Sequence, residues 1–233
     1  TSGSLGSSKL VEYAQADFVG NATAARERFG LQPTDRVALP VPISHMYGLG
    51  AALIPGALAG ASFDLQPQAN ILRYMDRERA FNPNVAFLSP SLCAMFVKRR
   101  RSPRPHRLVV TAGARIEEEL FGAFDQRFGP LVNLYGSSEM GAVSACRPSD
   151  TPPTRKGSIG APMGGMQLRL GDDDSATGEL WVRPTYGFLG YVDGQGASLL
   201  RASEWFQTHD LATRGADGNL RILGRADNAV NRD

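Results

Sequence analysis

The sequence predicts an α/β fold, a mostly parallel sheet flanked by helices and followed by a smaller, mainly β subdomain. Three observations carry this. Between residues 10 and 134, stretches with apolar residues three to four apart alternate with short apolar runs, the rhythm of repeated strand and helix units. After residue 141 that rhythm stops, and Pro148, Pro152, Pro153, Gly157, Gly160, Pro162, Gly164 and Gly165 punctuate short segments. The 233 residues are 42% hydrophobic, which provides for a sizeable core in one large domain or two smaller units. The expected division places the α/β part at 1–150 and the mainly β part at 151–227.

Taken in order, residues 1–9 read TSGSLGSSK, a loop of glycines, hydroxyls and one lysine. Glycines let backbone N–H groups approach an anion, hydroxyls add donors and lysine adds a point charge, so the composition suits polyphosphate binding; it equally suits a flexible linker. The spacing is not that of the G-x-x-x-x-G-K-[ST] nucleotide loop. Val11, Ala14, Phe18, Ala22, Ala25 and Phe29 recur at helical spacing, so residues 10–29 are expected to be mainly helical, closed by Gly30. Residues 36–42 read as a strand running into Ile43-Ser44-His45-Met46-Tyr47-Gly48. His45 there reads as a general base, a pocket wall or a packed imidazole.

Residues 51–59 suggest a helix, 61–65 a strand, 71–81 a charged amphipathic helix and 85–88 a buried strand. Residues 91–100 form a further helix with cations at its C-terminal end, where the helix dipole favours them. A strand at 107–111 ends in Ala112-Gly113-Ala114, and a helix at 116–128 with an acidic first turn leads into LVNLYGSSEMG at 131–141. Val132 and Leu134 alternate with polar neighbours as in a short buried strand, and Gly136 permits a tight turn after it, placing hydroxyls and Glu139 at a strand end. Residues 166–170, 178–183 and 220–223 are short β-type runs, the last entered through the Asp217-Gly218 turn.

Several function classes are excluded or disfavoured. A net charge of +2 with mixed signs gives no global argument for nucleic acid. The one basic cluster, Lys98 to Arg101 with Arg104, His106 and Arg107, reads as a solvated helix end before a phosphate site. Cys93 lies in an apolar stretch and Cys146 in a polar loop, so neither a disulfide framework nor a zinc site is indicated, and a reducing cytoplasm fits. The longest apolar run, 46–61, is broken by glycines and a proline, so no membrane span is expected, and it reads better as a buried helix packed closely through small residues. No signal peptide is legible, although the sequence opens inside a loop of functional composition.

The order of the motifs is more specific than any one of them. TSGSLGSSK, PISHMYGLG, LYGSSE, GELWVRP with Gly190-Tyr191, WFQTHDL and GRAD resemble, in sequence and succession, the motifs of the adenylate-forming superfamily: acyl-CoA synthetases, aryl-acid ligases and the adenylation domains of peptide synthetases. The resemblance covers essentially the whole chain. It implies activation of a carboxylic acid with ATP and Mg2+ to an acyl adenylate, then transfer to the thiol of CoA or of the phosphopantetheine on an acyl carrier protein.

Residue by residue, the resemblance makes Thr1, Ser2, Gly3, Ser4, Gly6 and Lys9 the phosphate loop, with Lys9 counted among the catalytic groups. Glu139 becomes the magnesium ligand, and Ser138 donates to a phosphate oxygen. Asp210 accepts from the ribose hydroxyls, Arg225 also reaches the ribose, and Asp227 is the hinge, leaving 228–233 as its remnant. Gly113, Ala114, Tyr135, Gly136 and Ser137 border the nucleotide, with Tyr135 offering a stacking face. His45, Met46, Tyr47, Gly136 and Met140 line the acid pocket.

The departures are specific too. Leu5 stands where the family has a hydroxyl residue, Ser8 where it has proline and Leu10 where it has glycine. His209 replaces the glycine before the ribose aspartate, and Pro184 a glycine after GELWVR. The long segment that family members carry before the phosphate loop and the small C-terminal domain with its lysine have no counterpart among these residues. Amino-acid-activating relatives place an aspartate near His45; residues 43–48 have none, so a non-amino aryl or acyl acid is expected. The alternatives are a catalytically silent nucleotide-binding or interaction module, and an amino-acid adenylation domain.

Overall fold

A computed structural model describes residues 10–67, 70–99, 105–201 and 203–226. The phosphate-loop residues 1–9, part of the basic cluster, and Asp227 with the 228–233 remnant lie outside the described residues.

The main sheet has seven strands: β2 (Arg36–Leu39), β3 (Ser62–Leu65), β4 (Val85–Leu88), β5 (Leu108–Thr111), β6 (Leu131–Ser137), β7 (Gly141–Ala145) and β8 (Ala161–Pro162), in the order β3-β2-β4-β5-β6-β7-β8. The pairings from β3 to β6 are parallel and those of β6-β7 and β7-β8 antiparallel. Helices α4 (Ile71–Phe81), α5 (Pro90–Arg99) and α6 (Glu118–Phe128) cover one face and α1 (Gln15–Phe29) the other. Strand periodicity divides the core accordingly: Val85, Phe87, Leu108 and Val110 face the α1 side, whereas Ala86, Leu88 and Val109 face Tyr74, Phe96, Phe124 and Phe128. At the N-terminal ends of the parallel strands Asp35, 1% exposed, accepts from Arg107 Nε (2.7 Å), Asn84 Nδ2 (3.0 Å) and Gln32 N (2.8 Å). The opposite, C-terminal edge is left for the site, as in other open parallel sheets.

The remaining strands form two antiparallel sheets. One pairs β1 (Leu10–Glu12), β11 (Gly190–Val192) and β12 (Ser198–Arg201); the other has the order β14-β13-β10-β9, from β9 (Met166–Leu170), β10 (Thr177–Pro184), β13 (Phe206–Arg214) and β14 (Leu220–Arg225). A short helix, α7 (Pro152–Arg155), lies between β7 and β8.

Four expectations need correction. The helix expected over residues 10–29 begins only at Gln15, because Leu10–Glu12 is drawn into a strand by Gly190–Val192, a pairing no local pattern encodes. The helix expected over residues 51–59 begins at Met46, in keeping with the reading of 46–61 as one buried helix: α2 (Met46–Gly48), a π-helical stretch at Leu49–Leu53 and α3 (Ile54–Leu58) follow without interruption. Its glycines are there for close packing, since a Cβ on Gly48 would lie 2.3 Å from the Pro42 carbonyl oxygen.

Gly136 is not the turn. β6 continues through Ser137, the chain turns at residues 138–140, and the left-handed position is Gly141, with φ 67°. Gly136 instead admits the returning strand, because a Cβ there would lie 2.1 Å from the Gly141 carbonyl oxygen. Cys146, finally, is 1% exposed at the end of β7 and not in a polar loop; burial raises its thiol pKa, and burial pushes that of the equally enclosed Cys93 up to about 12.

Candidate functional site

The β6-β7 turn carries Ser138, Glu139 and Met140, and four residues hold it in place. Ser137 Oγ accepts from the backbone N–H groups of Glu139 (3.2 Å) and Met140 (3.3 Å), closing the turn on itself. Asn21 of α1, 4% exposed, donates through Nδ2 to the carbonyls of Met140 (3.2 Å) and Ala142 (3.0 Å) and accepts from Ala142 N–H (3.0 Å). Tyr13 donates to the Ser138 carbonyl (2.9 Å), and Phe188 N–H to that of Glu139 (3.1 Å). The Glu139 side chain is thereby aimed by its backbone, and its Oε1 accepts from the Tyr191 hydroxyl at 2.9 Å. Burial first, and then the Glu139 charge at Tyr13 and the Glu139 hydrogen bond at Tyr191, raise the pKa of both phenols far above the ordinary tyrosine range.

Asn21 is the part of this arrangement with the clearest energetic signature. Asn21→Ala leaves three buried backbone groups without partners, a loss of about 3 kcal/mol. The thermal midpoint should fall by roughly 6–12 °C in a chain of this size, read by circular dichroism.

Asp210 lies on β13, directly across from Arg225 of β14. Its Oδ2 accepts from the Tyr135 hydroxyl at 2.6 Å and its Oδ1 from Arg225 at 3.1 Å. Arg225 also donates to the Thr208 carbonyl (3.1 Å), and the buried Thr208 hydroxyl donates to the Leu180 carbonyl (2.7 Å) while accepting from Asp210 N–H (3.1 Å). Burial, and then the Asp210 hydrogen bond, raise the Tyr135 pKa far above its usual value, so this phenol is a fixed donor. A carboxylate offers about four acceptor positions, and two are taken; the remainder suit a pair of ligand hydroxyls.

The strand register is broken to make this possible. Between Glu179↔Leu211 and Trp181↔Gln207, β10 advances two residues while β13 advances four. His209 sits in that bulge with φ 60°, a conformation that favours glycine. The family glycine that it replaces therefore answers a backbone requirement, which His209 meets under strain.

Three cavities meet at the end of β6, and Gly136 borders all of them. The first, about 480 Å³, is walled by Val41, Pro42, His45, Met46, Ala51 and Leu134 together with Gly113 and Ala114 of the β5 end. Among the described residues no carboxylate, lysine or arginine lines it, and His45 is the one ionisable group there apart from Tyr47. Tyr47 is spent on structure: its hydroxyl donates to the carbonyls of Val110 (2.8 Å) and Leu88 (3.2 Å), and burial raises its pKa well above the usual value. The second cavity, about 470 Å³, is bordered by Gly113, Ala114, Asn133, Tyr135, Asp210 and Arg225. The third, about 630 Å³, holds Ser137, Glu139, Tyr191, Gln207, His209 and Asp210 on its walls.

The structure thus brings His45, Met46, Tyr47, Ser137 and Ser138 to the first cavity, and Tyr135 and Asp210 to both the second and the third. Met140 is placed otherwise than expected: it is 1% exposed, packs in the core and borders the third cavity instead of the first. Lys9 and its loop lie outside the described residues. Asn21 and Tyr13 carry no sequence signal, since their work is on the backbone of a distant turn. Tyr191 does, as the tyrosine after Gly190 in the motif series.

No group of three or more His, Cys, Asp or Glu side chains that could hold a metal occurs among the described residues. A lone carboxylate does fit Mg2+ held mainly by nucleotide oxygens and water, and Glu139 has its Oε2 available for that. No helix among the described residues is long and apolar enough to cross a membrane.

The family model described as AMP-binding enzyme matches residues 1–192, and the chain belongs to that family. An indoleacetate–CoA ligase from Aromatoleum aromaticum is 28% identical over 237 residues, covering 97% of this chain and 46% of the relative. An anthranilate–CoA ligase solved with anthranoyl-AMP superimposes with a TM-score of 0.85 at 23% identity, over 97% of this chain and 46% of that one. An o-succinylbenzoate coenzyme A synthetase from Bacillus subtilis, solved with ATP and magnesium, does so with a TM-score of 0.80 at 18% identity, over 94% and 47%. The chain spans about half the length of the curated relatives it matches. Membership of the adenylate-forming superfamily, expected from the order of the motifs, and the α/β fold are both borne out.

Proposed function

We propose that this chain supplies the acid- and ATP-binding part of an AMP-forming acid–thiol ligase acting on an uncharged aryl or acyl acid, with CoA or a carrier-protein phosphopantetheine as acceptor. The observation that carries the reading is the meeting of a cavity free of carboxylates, lysine and arginine among the described residues with a cavity bordered by Asp210 and Arg225, the two sharing Gly113, Ala114, Leu134 and Gly136. An acid seated in the first and an adenosine in the second have their carboxylate and α-phosphate at that junction. In this reading residues 1–150 furnish the acid pocket and Glu139, and 151–227 the ribose carboxylate.

The chemistry follows from placement. A carboxylate oxygen attacks the α-phosphorus and the bond to pyrophosphate breaks; a thiol sulfur then attacks the acyl carbon, the bond to AMP breaks and the thiol proton is released. The obstacle in the first step is the approach of two anions, so held geometry and charge neutralisation carry the catalysis. Magnesium supplies neutralisation when bound, and Glu139 is the group that would hold it. Tyr135 and Arg225 fix the Asp210 carboxylate so that the ribose cannot swing.

ATP–pyrophosphate exchange with a panel of indole-3-acetate, anthranilate, acetate and phenylalanine tests this. Exchange driven by the aryl acids supports the ligase. ATP binding without exchange for any acid points to the silent module, and exchange driven by phenylalanine but not its deaminated analogue to an amino-acid adenylation domain. The cavity also predicts a specificity change. Ala51, 3% exposed on its wall, replaced by Phe removes space from the deep side, so kcat/KM for indole-3-acetate should fall about 10- to 100-fold relative to acetate.

A further inference from the structure

We propose that Tyr191 is a positioning residue that sets which divalent cation the nucleotide site accepts: by holding one oxygen of Glu139 it makes that carboxylate a one-oxygen ligand, a mode that suits Mg2+ better than Ca2+. The inference rests on the ligase reading above, in which Glu139 would hold the metal.

The contact has a fixed direction. A carboxylate only accepts, so across the 2.9 Å between them the Tyr191 hydroxyl donates and Glu139 Oε1 receives. No hydrogen bond among the described residues engages Oε2. The backbone of Glu139 is held from the same segment, since Phe188 N–H donates to its carbonyl at 3.1 Å. The Phe188 ring meets the Tyr191 ring edge-on, with centroids 5.2 Å apart, and the Phe206 ring at 5.7 Å. Tyr191 therefore cannot swing away from the carboxylate without unpacking Phe188.

Its strand is fixed on both sides, with Tyr191 across from Val11 of β1 and Leu200 of β12. The β11-β12 register breaks at this residue: from Tyr191↔Leu200 to Val192↔Ser198, β11 advances one residue and β12 two. Bulges of this kind re-aim a side chain and are frequent beside active sites. Tyr191 and Glu139 both border the third cavity, the space left at Gly136 once acid and adenosine occupy the first two.

The consequence is chemical. Ca2+ gathers oxygens at about 2.3–2.6 Å in a flexible shell and accepts a carboxylate through both of its oxygens, whereas Mg2+ demands a near-ideal octahedron at about 2.0–2.1 Å, which a chelating carboxylate distorts. With Oε1 tied to the phenol, Oε2 is the oxygen left for the cation, and the bond resists the rotation that would present both. Removing an outer partner of a metal ligand typically changes metal affinity by about 10- to 100-fold.

Titration calorimetry with ATP in saturating Mg2+, in saturating Ca2+ and in EDTA, and with AMP, reads this without turnover. Tyr191→Phe deletes one oxygen and keeps the ring against Phe188, so its thermal midpoint should stay within about 3 °C of wild type. Its affinity for MgATP should fall about 10-fold while that for CaATP stays within about threefold or rises, so the MgATP-to-CaATP ratio drops about 5- to 20-fold. Affinities for metal-free ATP and for AMP should stay within about twofold, which a general loosening of the site would not allow. In the wild type with MgATP, the infrared carboxylate bands that disappear in Glu139→Gln should show the wide splitting of a one-oxygen ligand. A ratio in Tyr191→Phe within about twofold of wild type, or the narrow splitting of a chelating carboxylate in the wild type, overturns the inference and leaves the ligase reading intact. Unaltered metal dependence in Glu139→Gln removes the ligand and the inference with it, and failure of the wild type to bind either nucleotide overturns the ligase reading as well.

Discussion

Asp210→Ala should abolish measurable use of ATP at ordinary concentrations, with kcat/KM for ATP in pyrophosphate exchange lowered by roughly 100- to 1000-fold. The substitution does more than delete an acceptor for ribose hydroxyls. It leaves the Tyr135 hydroxyl, which burial keeps protonated, and the Arg225 guanidinium without their common partner. Hydrogen bonds to a charged group contribute about 1.5–3 kcal/mol each, so the loss of the carboxylate removes its contacts to both the ribose and the groups that position it. Tyr135→Phe separates the two effects, since it removes one support and keeps the carboxylate: a loss of about 5- to 20-fold is expected, mainly in KM for ATP. An Asp210→Ala protein that is folded and retains ATP use within threefold of wild type would remove Asp210 from the nucleotide site.

What the sequence revealed follows from what local pattern encodes. α4, α6, β4 and β5 were legible because their apolar spacing repeats within one segment and one side of each is buried in the same core. β1 was not, because what makes Leu10–Glu12 a strand is its pairing with Gly190–Val192 at the far end of the chain. β7, reading GAVSA, is entirely buried but too rich in small residues to announce itself. The glycine at 136 suggested a turn, whereas it marks close backbone approach, a distinction that depends on a neighbour across a hairpin.

The site divides along the same line. Glu139, Tyr135 and Asp210 could be nominated because each sits in a recognisable motif, and the structure adds what each one touches. Asn21 and Tyr13, which hold the turn, bond to main-chain carbonyls more than a hundred residues away and leave no trace in any motif. His209 stood out only as a departure, and its meaning needed the φ of 60° and the bulge between β10 and β13.

Glu139→Gln tests the other end of the nucleotide and should reduce kcat for pyrophosphate exchange about 100- to 1000-fold, the scale on which one electrostatic group at a reacting phosphate acts. Glutamine preserves the shape of the turn: its amide oxygen can still accept from the Tyr191 hydroxyl, as Glu139 Oε1 does at 2.9 Å, and the backbone clamps from Asn21, Ser137 and Phe188 are untouched. The thermal midpoint should therefore move by less than about 3 °C, so a loss of rate is not a loss of fold. What glutamine removes is the negative charge that a hard cation requires. The defect should accordingly appear in the dependence on magnesium, with the half-saturating concentration rising about 10-fold or more while the affinity for AMP, which needs no such bridge, stays within twofold. If the magnesium dependence were unchanged and the affinity for the acid fell instead, Glu139 would belong to the acid pocket. Its position on the third cavity, away from the walls of the first, argues for the former result.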